Sequence, residues 1–211
     1  MSKKFRWYAA KLAIVCIIVY LIELSYPNFM LNNFALVSSR VIMRPWTIIT
    51  HAFLHSVSDI AHIFYNMFAL ILFGSVLERF IGSKKFLMVF FISVVTSAFG
   101  GIAFYDTMIG ASGAIMGILG TLSVLRPKMI VWAFGVPVPL IIACALWALG
   151  DIIGFFAADY VAHAAHLFGL LTGVLIGFVI SSQNHEKKII RKNKILDNKE
   201  IEEWENKWFN K

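Results

Sequence analysis

The chain has 211 residues, 59% of them hydrophobic and 15% charged, with a mean hydropathy of +0.77 and a formal net charge of +7. Soluble domains average about 45–50% apolar and about 25% charged residues, so these values exclude a disordered chain, a disulfide scaffold and most soluble folds. What remains is a polytopic membrane protein, an all-α helical bundle, because long runs almost free of charge recur along the chain.

Six runs are predicted to span the membrane: roughly 7–25, 60–77, 86–105, 107–125, 129–150 and 160–181. The first is the weakest. Its charge-free run covers only Leu12 to Ile22, and Lys11 and Glu23 on its flanks are expected to snorkel. A cleaved signal peptide competes for this segment, although no small-x-small site follows it. Ahead of the second span, His51 and His55 stand four residues apart and could hold a metal if helical. The preferred reading is an outer loop that they help to structure. Arg44 and Trp46 suit interfacial anchoring. Glu78 is expected to make a structural contact near the end of span two. The fifth span carries Pro137 and Pro139 near its start, so Val136 to Leu140 could be an extended lead-in rather than helix. Cys16 and Cys144 fall inside apolar runs, lack metal-ligand spacing and read as buried thiols. Residues 1–183 thus form a six-span domain. The remainder, 184–211, is a charged tail. Ile190, Leu196, Ile201, Trp204 and Trp208 recur there at roughly helical spacing, as in an amphipathic helix lying on the cytoplasmic surface.

Orientation follows from the basic residues. Lys3, Lys4, Arg6 and Lys11 precede span one; Arg79, Lys84 and Lys85 join spans two and three; Arg126 and Lys128 join spans four and five. Lys187, Lys188, Arg191, Lys192, Lys194, Lys199, Lys207 and Lys211 follow span six, so that 17 of the 19 basic residues fall on one side. Only Arg40 and Arg44 fall on the other. Both termini are therefore expected in the cytoplasm. The net charge is a topology signal and does not argue for nucleic acid.

Polar groups inside a span are costly and need a reason. Spans two, four and six all run from outside to inside, and Asp59, Asp106 and Asp159 mark their outer ends. Counting inward, His62 and Asn66 follow Asp59 by three and seven residues, Ser112 follows Asp106 by six, and His166 follows Asp159 by seven. At about 1.5 Å per residue these groups lie roughly 5–10 Å below the outer edge. A serine, two histidines and an asparagine on three helices share one level.

That set suits acyl transfer. A serine nucleophile needs a base, which His166 can supply. An oxyanion needs donors, which His62 and Asn66 can supply from one helical face. Ser112 begins a helix, so its own backbone N–H is free and the helix dipole favours negative charge there. Gly113, Gly117 and Gly120 follow Ser112, and Gly169, Gly173 and Gly177 follow His166. Such small-residue stripes let membrane helices approach closely and would bring Ser112 to His166.

Taken in order, the motifs resemble the rhomboid family of intramembrane serine proteases over residues 40–182. They are Arg44-Pro-Trp46 with His51-Ala-Phe-Leu-His55, His62-Ile-Phe-Tyr-Asn66, Leu77-Glu78-Arg79 with Gly82-Ser83, Gly110-Ala-Ser112-Gly113, and Ala165-His166-Leu-Phe-Gly169 with Gly173. The resemblance implies a Ser–His dyad without an essential third carboxylate, and cleavage of single-span membrane proteins in or beside the lipid bilayer. Residue by residue it implies Ser112 as nucleophile and His166 as general base. His62, Asn66 and the Ser112 backbone N–H would form the oxyanion hole. No cofactor or metal is implied. The expected location is the cell membrane of a prokaryote. One departure is Met116, four residues after the serine, where some members carry a tyrosine under the catalytic imidazole.

Other functions compete. An aspartyl intramembrane protease would use Asp106 and Asp151, but both fall at span ends and the full glycine-x-glycine-aspartate pattern is missing. A zinc protease lacks its H-E-x-x-H. A rhomboid-like pseudoprotease would bind membrane helices without cleaving them, but such relatives usually lose the serine or the histidine, and both are present here. A channel or transporter would need more polar groups. His163 is expected to hydrogen-bond near the cavity mouth, and Asp151 is not expected to complete a triad.

Overall fold

The computed structural model describes residues 5–133, 135–157, 159 and 161–208; beyond Gln183 it describes the side chains of 186, 199, 201–203, 206 and 207 only. Among these, four helical segments are long and apolar enough to cross a membrane. They are α1 (Tyr8–Ser25), the run Ile60–Ile81, α6 (Ser83–Ile102), and the part His163–Gln183 of α9 (His163–Trp208). The run Ile60–Ile81 is α4 (Ile60–Ala69) and α5 (Ser75–Ile81) joined by a π-helical turn over Leu70–Gly74. Two shorter apolar helices are α7 (Ser112–Leu125) and α8 (Leu140–Gly154). Between α1 and α4 lie α2 (Pro27–Phe34), α3 (Thr47–Thr50) and two 3-10 turns.

Several ends differ from the sequence expectation. Residues 107–111 do not begin a span: Thr107 and Met108 form β2, which pairs antiparallel with β1 (Leu36–Val37), and α7 starts at Ser112 itself. Strands β3 (Ile130–Ala133) and β4 (Val136–Pro139) pair antiparallel as a hairpin. Pro137 and Pro139 cannot donate helical hydrogen bonds but are tolerated in a two-stranded edge ladder, so α8 begins only at Leu140. Among the described residues, two short ladders thus interrupt a mostly helical chain. Helix α9 begins at His163, and α6 is shifted about three residues earlier than the hydropathy placed it.

The glycine stripes do the packing. Helix α7 is buried continuously from Gly113 to Ser123. A Cβ at Gly169 would stand 2.0 Å from the Gly113 carbonyl oxygen, and one at Gly173 would stand 1.9 Å from that of Gly117. The two backbones therefore touch directly. The Thr121 hydroxyl lies 2.9 Å from the Gly173 carbonyl across this contact. On the other side of α7, Ser97 and Ser93 of α6 fill the space beside Gly113 and Gly117.

Buried charge fixes the chain elsewhere. Glu78 is fully buried and accepts from the Arg6 and Ala9 backbone N–H groups at 3.1 and 3.2 Å and from the Ser83 hydroxyl at 2.5 Å. This is the structural contact expected of it, and it holds the start of α1 to the turn after α5. Glu23 does not snorkel. It is 1% exposed and accepts from the His55 backbone N–H at 3.0 Å. The Trp46 indole donates to the Asn33 carbonyl at 2.9 Å and Arg44 donates to that of Asn32, tying the segment before α3 to α2. Cys16 and Cys144 are buried free thiols.

By its internal contacts the chain divides into Met1–Gly177 and Phe178–Lys211. In the second unit the backbone is helical through Trp208, and Ile201 is half exposed. The side chains of Ile190, Leu196, Trp204 and Trp208, on which the amphipathic expectation rests, lie outside the described residues.

Candidate active site

Ser112 and His166 meet. The serine is the first residue of α7 and the histidine lies in the first turn of α9, and His166 Nε2 is 2.7 Å from Ser112 Oγ. The glycine contact of α7 with α9 runs on from this pair. The start of α9 is held separately: its Ala164 backbone N–H donates to the Tyr105 hydroxyl at 3.1 Å.

His62 and Asn66 line the same open cavity of about 810 Å³ as Ser112 and His166. His62 projects from the first turn of α4, whose N-terminus Asp59 caps by accepting from the Ala61 N–H at 3.0 Å. The Ser56 backbone N–H donates to His62 Nδ1 at 3.3 Å, so the hydrogen of the neutral ring sits on Nε2. That nitrogen lies against Gly110. A Cβ at Gly110 would stand 2.7 Å from it, and the φ of +113° there also requires glycine. The Asn66 amide donates one hydrogen to the His62 carbonyl at 2.8 Å and has a second to offer. Its Oδ1 is buried without a hydrogen-bond partner among the described residues.

His51 and His55 are buried in the loop before α4. His51 Nδ1 pairs with the Thr47 carbonyl at 2.9 Å, while its own carbonyl accepts from the Gly110 N–H at 2.9 Å. It therefore steadies the turn that leads into Ser112. Burial pushes both imidazoles down to about 4, so both are neutral at pH 7.

Asp151, which was not expected from the sequence to complete a triad, lies beside His166. This carboxylate is buried on α8, and its Oδ1 lies 3.0 Å from His166 Nδ1 and 2.7 Å from His163 Nδ1. His163 Nε2 in turn lies 3.0 Å from Asp159 Oδ2. That hydrogen bond holds the Asp159 carboxyl below the usual carboxylate range. The expected two-residue dyad thus has a carboxylate on its second nitrogen. The available signal was the cost of an acid inside an apolar run, which demands a partner. Asp151, His163 and His166 could be read as metal ligands, their ligating atoms lying within 4.8 Å of one another. Separations of 2.7 and 3.0 Å are instead those of atoms sharing a hydrogen, since ligands in a tetrahedral zinc site stand about 3.3 Å apart. Asp106 is exposed before β2, and Asp151 is engaged by imidazoles, so the carboxylate pair of an aspartyl protease is not assembled.

The model of the rhomboid domain matches residues 43–183, which is two thirds of the chain. The chain belongs to the rhomboid family. It is 31% identical over 165 residues to the mitochondrial rhomboid protein 1 of Saccharomyces cerevisiae, covering 72% of this chain and 46% of that one. It is 26% identical over 171 residues to the rhomboid protease GlpG of Yersinia pseudotuberculosis and to that of Yersinia pestis, covering 78% of this chain and 59% of each. The chain spans about half the length of these curated relatives. Family and apolar helices together make it an integral membrane protein.

Proposed function

We propose that the chain is an intramembrane serine endopeptidase that cleaves single-span membrane proteins through an acyl-enzyme. The observation that carries this reading is the 2.7 Å contact of His166 Nε2 with Ser112 Oγ inside a cavity that His62 and Asn66 share. In the reaction His166 Nε2 takes the hydroxyl proton as Oγ bonds to the scissile carbonyl carbon, and the carbonyl electrons move onto its oxygen. His62, Asn66 and the Ser112 backbone N–H receive that oxyanion. Its collapse breaks the C–N bond, the imidazolium gives its proton to the leaving amine, and water then hydrolyses the ester by the reverse roles.

Arg126 and Lys128 between α7 and α8 support a six-span arrangement, and the short α7 suits a recessed serine. The 14 residues of α7 make a helix of about 21 Å, less than the roughly 30 Å hydrocarbon core. A helix this short can start below the outer surface, where an open cavity admits water. Residues 1–183 form the membrane domain in this reading, both termini are cytoplasmic, the membrane is that of a prokaryotic cell, and the tail from 184 lies along its inner surface.

Reconstitution with a helix-destabilised transmembrane substrate tests the reading. Ser112→Ala and His166→Ala should each be nearly inactive and the double variant little worse, because such residues act as a unit. A fluorophosphonate should label Ser112 in the native protein. Full cleavage by Ser112→Ala would overturn the proposal. Substrate binding without turnover in the unmodified chain would favour a pseudoprotease.

A further inference from the structure

The proposed chemistry asks more of His166 than proximity. A general base must present an unprotonated Nε2 to Ser112, so the one hydrogen of the neutral ring must sit on Nδ1. In a half-buried site that Nδ1–H needs an acceptor, or the ring will turn or change tautomer. Asp151 Oδ1, 3.0 Å away, is that acceptor. Once the ring takes the serine proton, the same carboxylate faces an imidazolium.

A buried carboxylate needs compensation of its own. Asp151 receives it from His163, whose Nδ1 lies 2.7 Å from the same oxygen. His163 Nε2 reaches Asp159, whose carboxylate also accepts from the Val161 backbone N–H at 2.9 Å. Both contacts of His163 are filled only when both its nitrogens carry hydrogen, that is, as an imidazolium. The cluster is built into α8. A Cβ at Gly154 would stand 2.3–2.8 Å from the His163 ring atoms, so α8 leaves a gap for that ring three residues after it supplies the carboxylate.

Resting on the protease reading, we propose that Asp151 is a positioning residue that fixes the tautomer of His166 and stabilises its imidazolium, with His163 and Asp159 holding the carboxylate in place. The reacting unit is then the chain Ser112–His166–Asp151–His163–Asp159. The serine proton goes to His166 Nε2 and no further, and Asp151 stays ionised throughout.

The experiment compares Asp151→Asn, Asp151→Glu and Ser112→Ala in the same reconstituted preparation, with kcat, KM, thermal unfolding and fluorophosphonate labelling rate as readouts. The amide of Asn can donate to Nδ1 and hold the wrong tautomer. The expected result for Asp151→Asn is a fall of about 10²–10⁴ in kcat and in labelling rate, with KM within about twofold. Asp151→Glu, which keeps the charge, should recover part of that loss. A structural tie between α8 and α9 would instead lower the melting temperature and leave kcat per folded enzyme unchanged, which overturns the proposal. Nitrogen-15 histidine spectra of the unmodified protein, assigned with His166→Gln, read the tautomer even if the Asp151 variants fail to fold. Nδ1–H is expected, and Nε2–H overturns the inference. If Ser112→Ala cleaves normally, the protease reading fails; if Ser112→Ala is inactive and Asp151→Asn is fully active, only the positioning role fails.

Discussion

His62 and Asn66 differ in what they have left to give. The His62 ring spends Nδ1 on the Ser56 N–H and keeps its hydrogen on Nε2, at the end that faces Gly110 beside the serine. Asn66 spends one amide hydrogen inside its own helix and keeps one. If both serve the oxyanion, each matters in the transition state and little before it. Loss of one such donor costs about 10²–10³ in kcat where donors are few, and the surviving Ser112 N–H should hold the loss toward the lower end. A purely structural Asn66 would instead contribute a hydrogen bond of about 0.6 kcal/mol, the average within membranes, and its loss would leave turnover nearly normal. Measuring kcat, KM and melting together for His62→Ala and Asn66→Ala separates the two, and normal kcat in both would remove the side-chain oxyanion donors. His62, Asn66, Ser112 and His166 were legible in the sequence because depth along a helix is a one-dimensional count. Asp151 and Glu23 were not, because their partners lie 15 and 32 residues away across irregular backbone that hydropathy does not resolve.

At the scale of elements, α7 and α9 meet through glycines whose spacing was readable in advance. Glycines every three or four residues form one face of a helix, and such faces are used where membrane helices touch. Substitution at Gly173 tests whether that contact sets the site. Even one Cβ there falls 1.9 Å from the Gly117 carbonyl oxygen, so α9 must move away from α7. Gly173 lies about 10 Å along the helix from His166, so the substituted side chain cannot itself reach the cavity. Gly173→Val should therefore lower the melting temperature and abolish labelling of Ser112 by a fluorophosphonate, whereas Gly150→Ala on α8, with nothing within 4 Å of its Cβ position, should alter neither. Wild-type labelling in Gly173→Val would mean that other contacts hold Ser112 to His166. The hairpin before α8 was less legible. A continuous apolar run is compatible with helix and with paired strands alike, and only the two prolines pointed away from helix.

For the whole molecule, the open question is how many helices cross. Four are long enough alone, and α7 and α8 are short. Four crossings and six both put the two termini on the same side, so the termini cannot distinguish them; the hairpin between α7 and α8 can. If both short helices cross, residues 126–139 lie in the cytoplasm, as Arg126 and Lys128 require under the positive-inside rule. If neither crosses, the hairpin stays outside with the ends of α6 and α9. Trp132 is 77% exposed at the hairpin and Ile42 is 92% exposed in the loop before α3, so cysteines at these positions should react wherever reagent reaches them. Cys16 and Cys144 are buried and should give little background. In sealed cells an impermeant maleimide is expected to label Ile42→Cys and to spare Trp132→Cys, Lys3→Cys and Lys207→Cys until the membrane is opened. Labelling of Trp132→Cys from outside would reduce the count to four. Labelling of one terminal variant alone would make the span count odd, and labelling of both would reverse the orientation, and with it the side from which a substrate must present its scissile bond to Ser112.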